Sequence, residues 1–434
     1  MNKSINVWGG ISILAGIMIG SGIFFLGGQI LERVGNSLPL SILAWIVGGI
    51  ITLFSGLTYA ELGTLFPENG GYFVYLKEAY GKKVAFLAGH MNLVLSSSGS
   101  IALLATLFAQ VVSNIFPTVA DDLASLSIAV IILLTVLNYS GIKNGLLTQI
   151  VFLAAKLIPI IMIIVMGFII GNQPLMGNPT VESASFFDAL VGFGFAVVGT
   201  LFAYEGWTNL NSVAGQMKEK KDLPKAIIAA IGGVMVVYVL FIIALYRLVA
   251  FSALFEAPNG WFIFFAAYEL FGDAGQLVIM ISVAISVFGA LNGSILVFPR
   301  VYQKMAKDGL FFSIFAKESE VYKTPSYALV ISAFVSIVLI VLGFDINALL
   351  TFVVFAGFVF NTLIFISVFI FRKRKPVEEF PRYQTWGYPV IPALAIVGMV
   401  LLFIATLIES LVPSLIGVLV LVVGYVLIPL FIKE

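Results

Sequence analysis

The sequence predicts an all-α membrane protein with twelve transmembrane helices, and three observations support this fold class. Of the 434 residues, 61% are apolar and only 10% are Asp, Glu, Lys or Arg, whereas a soluble domain has about 25% charged residues. The mean hydropathy is +1.11. Apolar stretches long enough to cross a bilayer, which takes about 20 residues, recur along the whole chain. A soluble enzyme, a nucleic-acid-binding protein and a secreted disulfide scaffold are excluded, because the surface of each must face water.

Twelve segments have the length and composition of a transmembrane span. They are residues 6–32, 39–66, 84–115, 123–140, 146–170, 188–216, 224–251, 272–304, 325–343, 346–371, 388–408 and 412–432. The loops between them are short and leave no room for a soluble domain, so we expect residues 1–434 to form one transmembrane domain. No small-residue cleavage site closes the first segment, which is therefore expected to be a span rather than a removable signal peptide.

The basic residues indicate how the spans are oriented. With the N-terminus in the cytoplasm and the loops alternating, all of the 23 Lys and Arg residues except Arg33, Arg247 and Lys156 fall on the cytoplasmic side. Cytoplasmic loops of membrane proteins carry such an excess of Lys and Arg. We therefore expect a multi-pass protein of the cell's inner (plasma) membrane with both termini in the cytoplasm.

The first and sixth spans are interrupted near their middle. The first contains Gly20-Ser21-Gly22, and the sixth contains Glu205-Gly206 within an otherwise apolar segment. Glycine weakens a helix by about 1 kcal/mol relative to alanine and lets another molecule approach the backbone closely. A helix-packing face is the alternative explanation for small residues in a single span.

The positions of the two interruptions indicate an internal repeat. Spans 1–5 occupy residues 1–170 and spans 6–10 occupy residues 188–371, while residues 388–432 hold two extra spans. Each set has an odd number of spans, so the second set is inverted relative to the first. Interrupted spans at matching positions of two inverted halves are typical of a transporter with a binding site at the membrane midplane.

Helix interruptions leave unpaired backbone groups that suit a zwitterion. Free N–H groups at the start of a half-helix attract a carboxylate, and free carbonyls at the end of a half-helix attract an ammonium group. The predicted N–H donors are Gly20, Ser21 and Gly22, and the predicted carbonyl acceptors are Ile17, Met18, Phe202 and Ala203. The chain thus offers both halves of a site for the backbone of an α-amino acid.

Four blocks of sequence carry a resemblance to a known family. They are Gly20-Ser21-Gly22-Ile23-Phe24; Ala60-Glu61-Leu62-Gly63; Phe202-Ala203-Tyr204 with Gly206-Trp207; and Phe288-Gly289-Ala290-Leu291-Asn292-Gly293-Ser294 with Ala306-Lys307-Asp308-Gly309. In this order they resemble the amino acid–polyamine–organocation superfamily and its L-type amino acid transporter branch, in particular bacterial exchangers of alanine, serine and cysteine. The resemblance extends over spans 1 to 10.

This resemblance implies a LeuT-like 5+5 inverted repeat and sodium-independent exchange of neutral L-amino acids by alternating access, without a cofactor. Gly20, Ser21 and Gly22 would bind the substrate carboxylate. Carbonyls near Met18, Phe202 and position 205 would bind its ammonium group, with Phe202 as an aromatic gate. Animal members have a glycine where this chain has Glu205.

The resemblance also bears on partners. Animal members carry a cysteine between spans 3 and 4 that bonds a single-span heavy subunit, whereas this chain has no cysteine at all. A disulfide-linked subunit is therefore excluded. The expected partners are an amino acid substrate and the lipid bilayer, with no nucleic acid. Without cysteine and with a single histidine, little is left for a metal site.

Lys156 is a charge inside the fifth span. A lysine at this depth is costly unless it is paired or faces a wet cavity. It either ties the bundle together through backbone carbonyls or provides a fixed cation between spans 1, 5 and 8, where sodium-coupled relatives of this fold hold sodium. Its expected partners are the backbone of the interrupted first span and the hydroxyl of Ser286. Tyr238 is expected to be a packing residue, with a hydrogen bond to Lys156 or to the surroundings of the substrate as the functional alternative.

Glu205 is a second charge inside the membrane, and four roles are open for it. The four alternatives are that it pairs with Lys156, that it recognises a polar or basic substrate, that it accepts protons, and that it is a hydrated carboxylate without a role in transport. Glu61, at the end of the second span, is expected on a solvated face, with a gating salt bridge as the alternative.

Other functions fit the sequence less well. A channel needs a symmetric filter or a ring of charge, and an intramembrane enzyme needs a catalytic motif such as HExxH; the sequence contains neither. The chain is therefore not expected to be an enzyme. Within transport, the alternative to exchange is proton-coupled symport of amino acids or polyamines.

Overall fold

The computed structural model describes residues 4–20, 22–140, 142–175, 186–249, 262–376 and 378–432, which are predominantly helical. Sixteen α-helices follow one another in these ranges. They are α1 (Val7–Met18), α2 (Gly22–Arg33), α3 (Leu38–Leu65), α4 (Tyr72–Tyr80), α5 (Lys82–Met91), α6 (Ser97–Ile115), α7 (Leu123–Tyr139), α8 (Ile142–Ile169), α9 (Phe186–Ala203), α10 (Asp222–Leu248), α11 (Phe262–Val297), α12 (Pro299–Lys307), α13 (Ser326–Val341), α14 (Ile346–Arg374), α15 (Val390–Glu409) and α16 (Leu411–Phe431). The described residues form no β-strand, and a single parallel β-bridge joins Ile5 to Met217.

The predicted spans coincide with helical segments. Within the described ranges, eight segments are long and apolar enough to cross a membrane, and the bent pair α1 and α2 makes a ninth. Three further apolar helices are shorter, at 10–17 residues: Leu123–Tyr139, Ala189–Ala203 and Ser326–Val341. The all-helical, multi-span architecture is thus confirmed, whereas the count of twelve spans and the inverted repeat stay predictions.

The outer helices present apolar side chains outward. In α15 and α16, Leu401 is 61% exposed and Val426 is 68% exposed, while polar residues such as Ser286 and Asn292 are fully buried. A bilayer favours this distribution, because lipid solvates apolar side chains and leaves polar groups unsatisfied.

The two halves of the first span lie at the centre of the bundle. α1 packs against α8, α10 and α11, and α2 packs against α9. The residues before α1 are held by the bridge, in which the Ile5 amide donates to the Gln216 carbonyl (3.0 Å) and the Lys218 amide donates to the Ile5 carbonyl (2.8 Å). The start of the first span is therefore tied to the segment that follows the interrupted sixth span.

Three local features differ from a series of plain helices. The predicted third span contains a π-helical turn at Asn92–Ser96, a device often found at functional sites. The eighth span was predicted to start at residue 272, and Gly272, with a φ of +66°, interrupts α11 at that residue. After α9, the predicted sixth span continues as a turn and a 3₁₀ segment, Asn209–Gln216, instead of an α-helix.

Candidate functional site

The first span is interrupted where the sequence predicts it. α1 ends at Met18 and α2 begins at Gly22, and the two axes meet at 47°. Ile19 leaves the helical conformation with a ψ of 79°. Ser21, a predicted carboxylate ligand, lies outside the described residues. The α-helical hydrogen bonding stops at this point, and the Gly20 amide instead donates to the Met18 carbonyl (2.8 Å).

The sixth span is interrupted by a turn built on glycine. α9 ends at Ala203, and Gly206 has a φ of +110°, a conformation that L side chains rarely adopt. The Glu205 amide donates to the Phe202 carbonyl (2.9 Å), and the Asn209 amide donates to the Gly206 carbonyl (3.1 Å). The chain therefore turns out of the α-helix within a few residues.

The two interruptions touch each other through their glycines. A Cβ atom on Gly22 would lie 2.7 Å from the Ala203 Cα atom, and a Cβ atom on Gly206 would lie 2.7 Å from Ile17 Cγ2. Real Cβ atoms essentially never come so close to another heavy atom. The close approach of the α2 backbone to Ala203 therefore requires glycine at position 22, whereas at position 206 glycine is favoured by the positive φ and by the contact with the Ile17 side chain.

Both interruptions face one cavity of about 100 Å³, here called the central cavity. Every described residue that was predicted to bind substrate lines it: Ile17, Met18, Gly20, Gly22, Phe202, Ala203 and Glu205. The structure thus brings together residues that are far apart in the sequence.

The central cavity is also lined by polar residues that the sequence analysis missed. Ser100 contributes from α6, Asn361 from α14 and Thr208 from the sixth span. The Tyr59 hydroxyl donates to Asn361 Oδ1, and both of these residues line the cavity. Polar residues in otherwise apolar helices were the available signal, but they occur in most of the spans.

Lys156 is fully buried behind the first interruption and does not line the central cavity. Its Nζ atom donates to the carbonyls of Gly16 (2.8 Å) and Ile19 (2.5 Å), and to the Ser286 carbonyl (3.1 Å). The expected contact with the first-span backbone is therefore present. The expected bond to the Ser286 hydroxyl is wrong, because the lysine uses the carbonyl of that residue.

The hydroxyl of Ser286 stabilises the same interruption directly. Its Oγ atom is close to the carbonyls of Ile19 (3.1 Å) and Gly20 (3.2 Å) and donates to them. Tyr238 joins the two interruptions, since its hydroxyl donates to the Met18 carbonyl (2.7 Å) and lies 3.1 Å from the Ala203 carbonyl. The alternative in which Tyr238 bonds Lys156 is wrong; its hydroxyl bonds backbone that borders the central cavity.

Glu205 does not pair with Lys156, because the three N–H bonds of the lysine go to carbonyls. That hypothesis for Glu205 is wrong. The residue lines the central cavity and also a smaller chamber between α9, α14 and α15, together with Trp207, Asn361 and Met399. The other roles considered for Glu205 stay predictions.

The central cavity extends towards the face of the bundle at which α1 begins, here called the N-terminal face. Tyr72, Ser212 and Val301 line this end. Around this end, ion pairs outside the cavity join α4 to α12.

Lys77 of α4 pairs with Asp308, and Lys304 of α12 pairs with Glu68 (2.8 Å) and with Asp308 (2.9 Å). Burial alone would raise the pKa of the Asp308 carboxyl, but hydrogen bonds from Lys77 and Lys304 outweigh it and hold that pKa below its ordinary value. Asp308 is therefore ionised at neutral pH and links α4 to α12.

Glu61 lies in a second charged cluster on the N-terminal face. Arg372 donates to its carboxylate through Nε (2.9 Å) and Nη2 (2.8 Å), and Arg382 and the Thr385 amide donate as well. Glu61 is only 1% exposed, so the expectation of a solvated face is wrong. The cluster fastens the segment between α14 and α15 to the end of α3.

Among the described residues, no group of three or more His, Cys, Asp or Glu could hold a metal ion. The site thus consists of backbone groups, hydroxyls, amides and one carboxylate. Such a set can hold a small zwitterion by hydrogen bonds, with the carboxylate at N–H groups and the ammonium group at carbonyls.

The chain matches the family model of the amino acid permeases over residues 5–430. It is 32% identical over 413 residues to the serine/threonine exchanger SteT of Bacillus subtilis, covering 94% of this chain and 92% of that protein. It is 29% identical to the b(0,+)-type amino acid transporter 1 of Mus musculus, covering 92% and 82% of the two chains. It is 30% identical to the large neutral amino acids transporter small subunit 2 of Homo sapiens, covering 90% and 74%. These relatives are transporters, so the prediction of a transporter instead of an enzyme is confirmed.

Proposed function

Because the chain belongs to the amino acid permease family of the amino acid–polyamine–organocation superfamily, we propose that it carries small neutral L-amino acids, such as alanine and serine, by sodium-independent exchange. Amino acid transport itself follows from the family. The observation that carries the proposal is the central cavity, in which the backbones of both interruptions meet.

The backbone of the substrate binds at the two interruptions. The carboxylate is held at the start of α2, by the N–H group of Gly22 with Ser21 and Gly20 before it, because the start of a half-helix attracts negative charge. The Gly20 amide donates to the Met18 carbonyl (2.8 Å) and exchanges that bond for the carboxylate when substrate binds. The ammonium group binds to carbonyls of Ile17 and Phe202. The Ala203 carbonyl accepts from Tyr238 and keeps a second lone pair for the substrate, whereas the Met18 carbonyl already accepts from both Tyr238 and the Gly20 amide.

Small substrates are favoured because the central cavity of about 100 Å³ leaves little room for a side chain. Glu205 and the polar groups of Ser100 and Asn361 line it, and they suit a hydroxyl-bearing side chain. The name of the serine/threonine exchanger among the relatives supports this preference. Phe202 acts as the gate, since it lines both the central cavity and a separate cavity formed between α2, α9, α14 and α15.

Sodium independence rests on the position of Lys156. Interrupted transporter helices use unwound carbonyls to coordinate sodium. Here the Nζ atom of the lysine occupies such a group of oxygens, formed by the carbonyls of Gly16, Ile19 and Ser286 at 2.8, 2.5 and 3.1 Å. A fixed ammonium group at this position supplies the positive charge that a sodium ion would otherwise bring.

The architecture that we propose has twelve spans, with an inverted repeat of residues 1–170 and 188–371 followed by residues 388–432. Both termini lie in the cytoplasm of a cell whose inner membrane holds the protein, so the N-terminal face is the cytoplasmic face. The Lys and Arg distribution supports this orientation, and the absence of cysteine from the chain supports function without a disulfide-linked subunit.

Counterflow in proteoliposomes tests the mode of transport. We expect labelled serine to enter liposomes that are pre-loaded with unlabelled serine and not to enter empty ones, with equal rates in sodium and choline buffers. Uptake into empty liposomes driven by a pH gradient would instead establish proton-coupled symport, and a requirement for sodium would overturn the role given to Lys156. Competition by the twenty amino acids then defines the substrate range.

A further inference from the structure

The segment that joins α14 to α15 lies along the last turns of α3. Its residues 378–389 are here called the connector. The Tyr383 amide donates to the Thr64 hydroxyl oxygen (3.0 Å), and the Thr385 amide donates to Glu61 Oε2 (2.8 Å). α15, which follows the connector, packs against α3 as well. The connector is thus bound to α3 through its own backbone.

The Glu61 carboxylate, which joins the connector to α14, is a buried charge with four donors. Arg372 donates to it through two nitrogen atoms, at 2.9 and 2.8 Å. The Arg382 Nε atom (3.2 Å) and the Thr385 amide add the other two donors. The side chains of Glu61 and Arg382 are 1% and 0% exposed. Separating a buried ion pair is costly, because it leaves an uncompensated charge away from water.

The other charged cluster of the N-terminal face is more exposed. The side chains of Lys304 and Glu68, which pair at 2.8 Å, are 22% and 48% exposed. Exposed ion pairs contribute little to stability, because water replaces the partner at small cost. The Lys304–Glu68 pair can therefore open and re-form during transport, whereas the contacts of Glu61 favour a tie that stays closed.

The face of α14 that carries Arg372 also reaches the central cavity. Phe365 and Asn361 precede Arg372 by about two and three helical turns, so the three residues lie on one face of α14. Tyr59 of α3 contacts this face, since its hydroxyl donates to Asn361 Oδ1 and its ring centroid lies 5.9 Å from that of Phe365. Tyr59 and Asn361 both line the central cavity. The contact between α3 and α14 at Glu61 thus continues into a wall of the cavity.

α3 and α14 belong to different groups of packed helices. α3 packs against α9 and α10, and α10 packs against α1, so α3 accompanies both interrupted spans. α14 packs against α6 and against the π-helical turn, in which the Ser96 hydroxyl donates to the Val353 carbonyl (3.0 Å). Alternating access moves one group of helices against another. The contacts of Glu61 therefore decide which group the end of α14 follows.

We propose that Glu61 is a positioning residue for transport, which keeps the connector and the end of α14 fixed on α3 throughout the cycle. The wall formed by Tyr59 and Asn361 then moves together with the interrupted spans. The inference rests on the proposed exchange by alternating access. Glu61 does not line the central cavity, so it acts through Arg372 and the connector and not on the substrate. The alternative is a latch that opens once in every cycle.

A disulfide between α3 and the connector separates a permanent tie from a latch. The chain has no cysteine, so the double variant Thr64→Cys, Tyr383→Cys carries its only two thiols. We expect serine counterflow to be equal in the oxidised and the reduced protein, with mass spectrometry to verify the disulfide. The reduced protein is the control for the two substitutions. A loss of counterflow on oxidation that a reductant reverses would overturn the proposal, because the connector would then have to leave α3.

Glu61→Gln tests whether the carboxylate acts through the connector. A misplacement of about 1 Å in a binding site can cost about a hundredfold in rate, so we expect counterflow to fall at least about tenfold. The same disulfide, added to Glu61→Gln, is expected to restore counterflow, because a covalent tie replaces the ionic one. If the oxidised triple variant folds, as judged by size-exclusion chromatography, and still does not transport, Glu61 acts by another route and the proposal is wrong.

Hydrogen exchange of the wild-type protein provides a test that needs no variant. Peptides that contain the Tyr383 and Thr385 amides are expected to exchange slowly, to the same extent with and without saturating serine. Faster exchange in serine would overturn the permanent tie. Glu61→Gln is expected to remove this protection, and Glu68→Gln is the control that is expected to keep it; an equal loss in both variants would contradict the role of Glu61. If the wild type does not exchange serine at all, the proposed function fails, while the protection of the connector still decides whether the tie opens.

Discussion

The interruptions of the first and sixth spans free the backbone in the same way but are held differently. Carbonyls of the first interruption accept hydrogen bonds from side chains of three other helices, namely Lys156, Ser286 and Tyr238. Within the part of the chain that the structure describes, the sixth interruption receives one such bond, from Tyr238 to the Ala203 carbonyl. Its shape depends on the turn at Gly206 and the following 3₁₀ segment.

This difference separates two tasks of a binding site. A backbone held by several buried donors is a preorganised surface for the groups that all α-amino acids share. The sixth interruption instead places Phe202 and Glu205 at the cavity, and these side chains can differ between transporters without loss of the backbone geometry. We therefore expect changes near the first interruption to affect all substrates and changes at the sixth to affect selectivity.

The largest effect is expected for Lys156→Met, which removes two hydrogen bonds to the first interruption, one to Ser286 of α11, and the buried positive charge. A misplacement of about 1 Å in a binding site can cost about a hundredfold in rate, so we expect counterflow to fall by about two orders of magnitude for all substrates. The measurement is serine and alanine counterflow, with size-exclusion chromatography to verify folding. Lys225→Met, at an exposed position of α10, is the control and is expected to transport normally. Wild-type transport by a folded Lys156→Met protein would contradict the role of the lysine.

Gly22→Ala is expected to have the next largest effect, because the new Cβ atom would lie 2.7 Å from the Ala203 backbone. The two interruptions must then separate, and we expect at least about a tenfold loss of exchange. Gly232→Ala is the matched control, since no atom lies within 4 Å of its Cβ position and alanine favours a helix by about 1 kcal/mol. Equal exchange rates for the two variants would show that the contact is unimportant.

Tyr238→Phe removes the bond that joins the two interruptions. A hydrogen bond contributes about 1 kcal/mol, so we expect exchange to fall about fivefold for every substrate tested. Tyr246→Phe, in the same helix, loses a bond with Ser41 instead and is expected to lower thermal stability without changing the exchange rate. The same loss of exchange in both variants would mean that the role of Tyr238 is only structural.

Glu205→Gln is expected to have the smallest effect on the rate and the largest on selectivity. The variant keeps the shape of the cavity wall and removes its charge, so alanine exchange should stay close to the wild-type rate. The measurement is the competition profile of polar and basic amino acids, together with the pH dependence of exchange. Glu32→Gln, on the exposed face of α2, is the control. An unchanged profile and pH dependence would make the carboxylate a bystander.

Much of the site followed from local sequence features. The glycines and polar residues of the two interruptions predicted the described lining residues, because helix breaking is a local property of the backbone. These residues are Ile17, Met18, Gly20, Gly22, Phe202, Ala203 and Glu205. The sequence did not predict which atoms the buried charged side chains bond. Lys156 was expected to reach the Ser286 hydroxyl and instead bonds its carbonyl; hydropathy and spacing give the depth of a side chain but not the atom that it meets.

Long-range contacts explain the other errors. Glu61 was expected in solvent because it ends a span beside basic residues, but Arg372 and Arg382 reach it from more than 300 residues away in the sequence. The π-helical turn at Asn92–Ser96 was not expected either. Its Asn92 side chain accepts from the Tyr302 hydroxyl at 2.9 Å, a contact between distant spans that has no local signal.

The sequence by itself determined that this protein is an apolar, multi-span transporter and where its helices break, because hydropathy and glycine act within a few residues. Only the tertiary structure decided which helices supply the donors to the freed carbonyls, where Glu61 is paired, and that Phe202 separates two cavities. Those features depend on side chains from spans that are remote in sequence, and a periodic apolar pattern does not specify which faces of these spans meet.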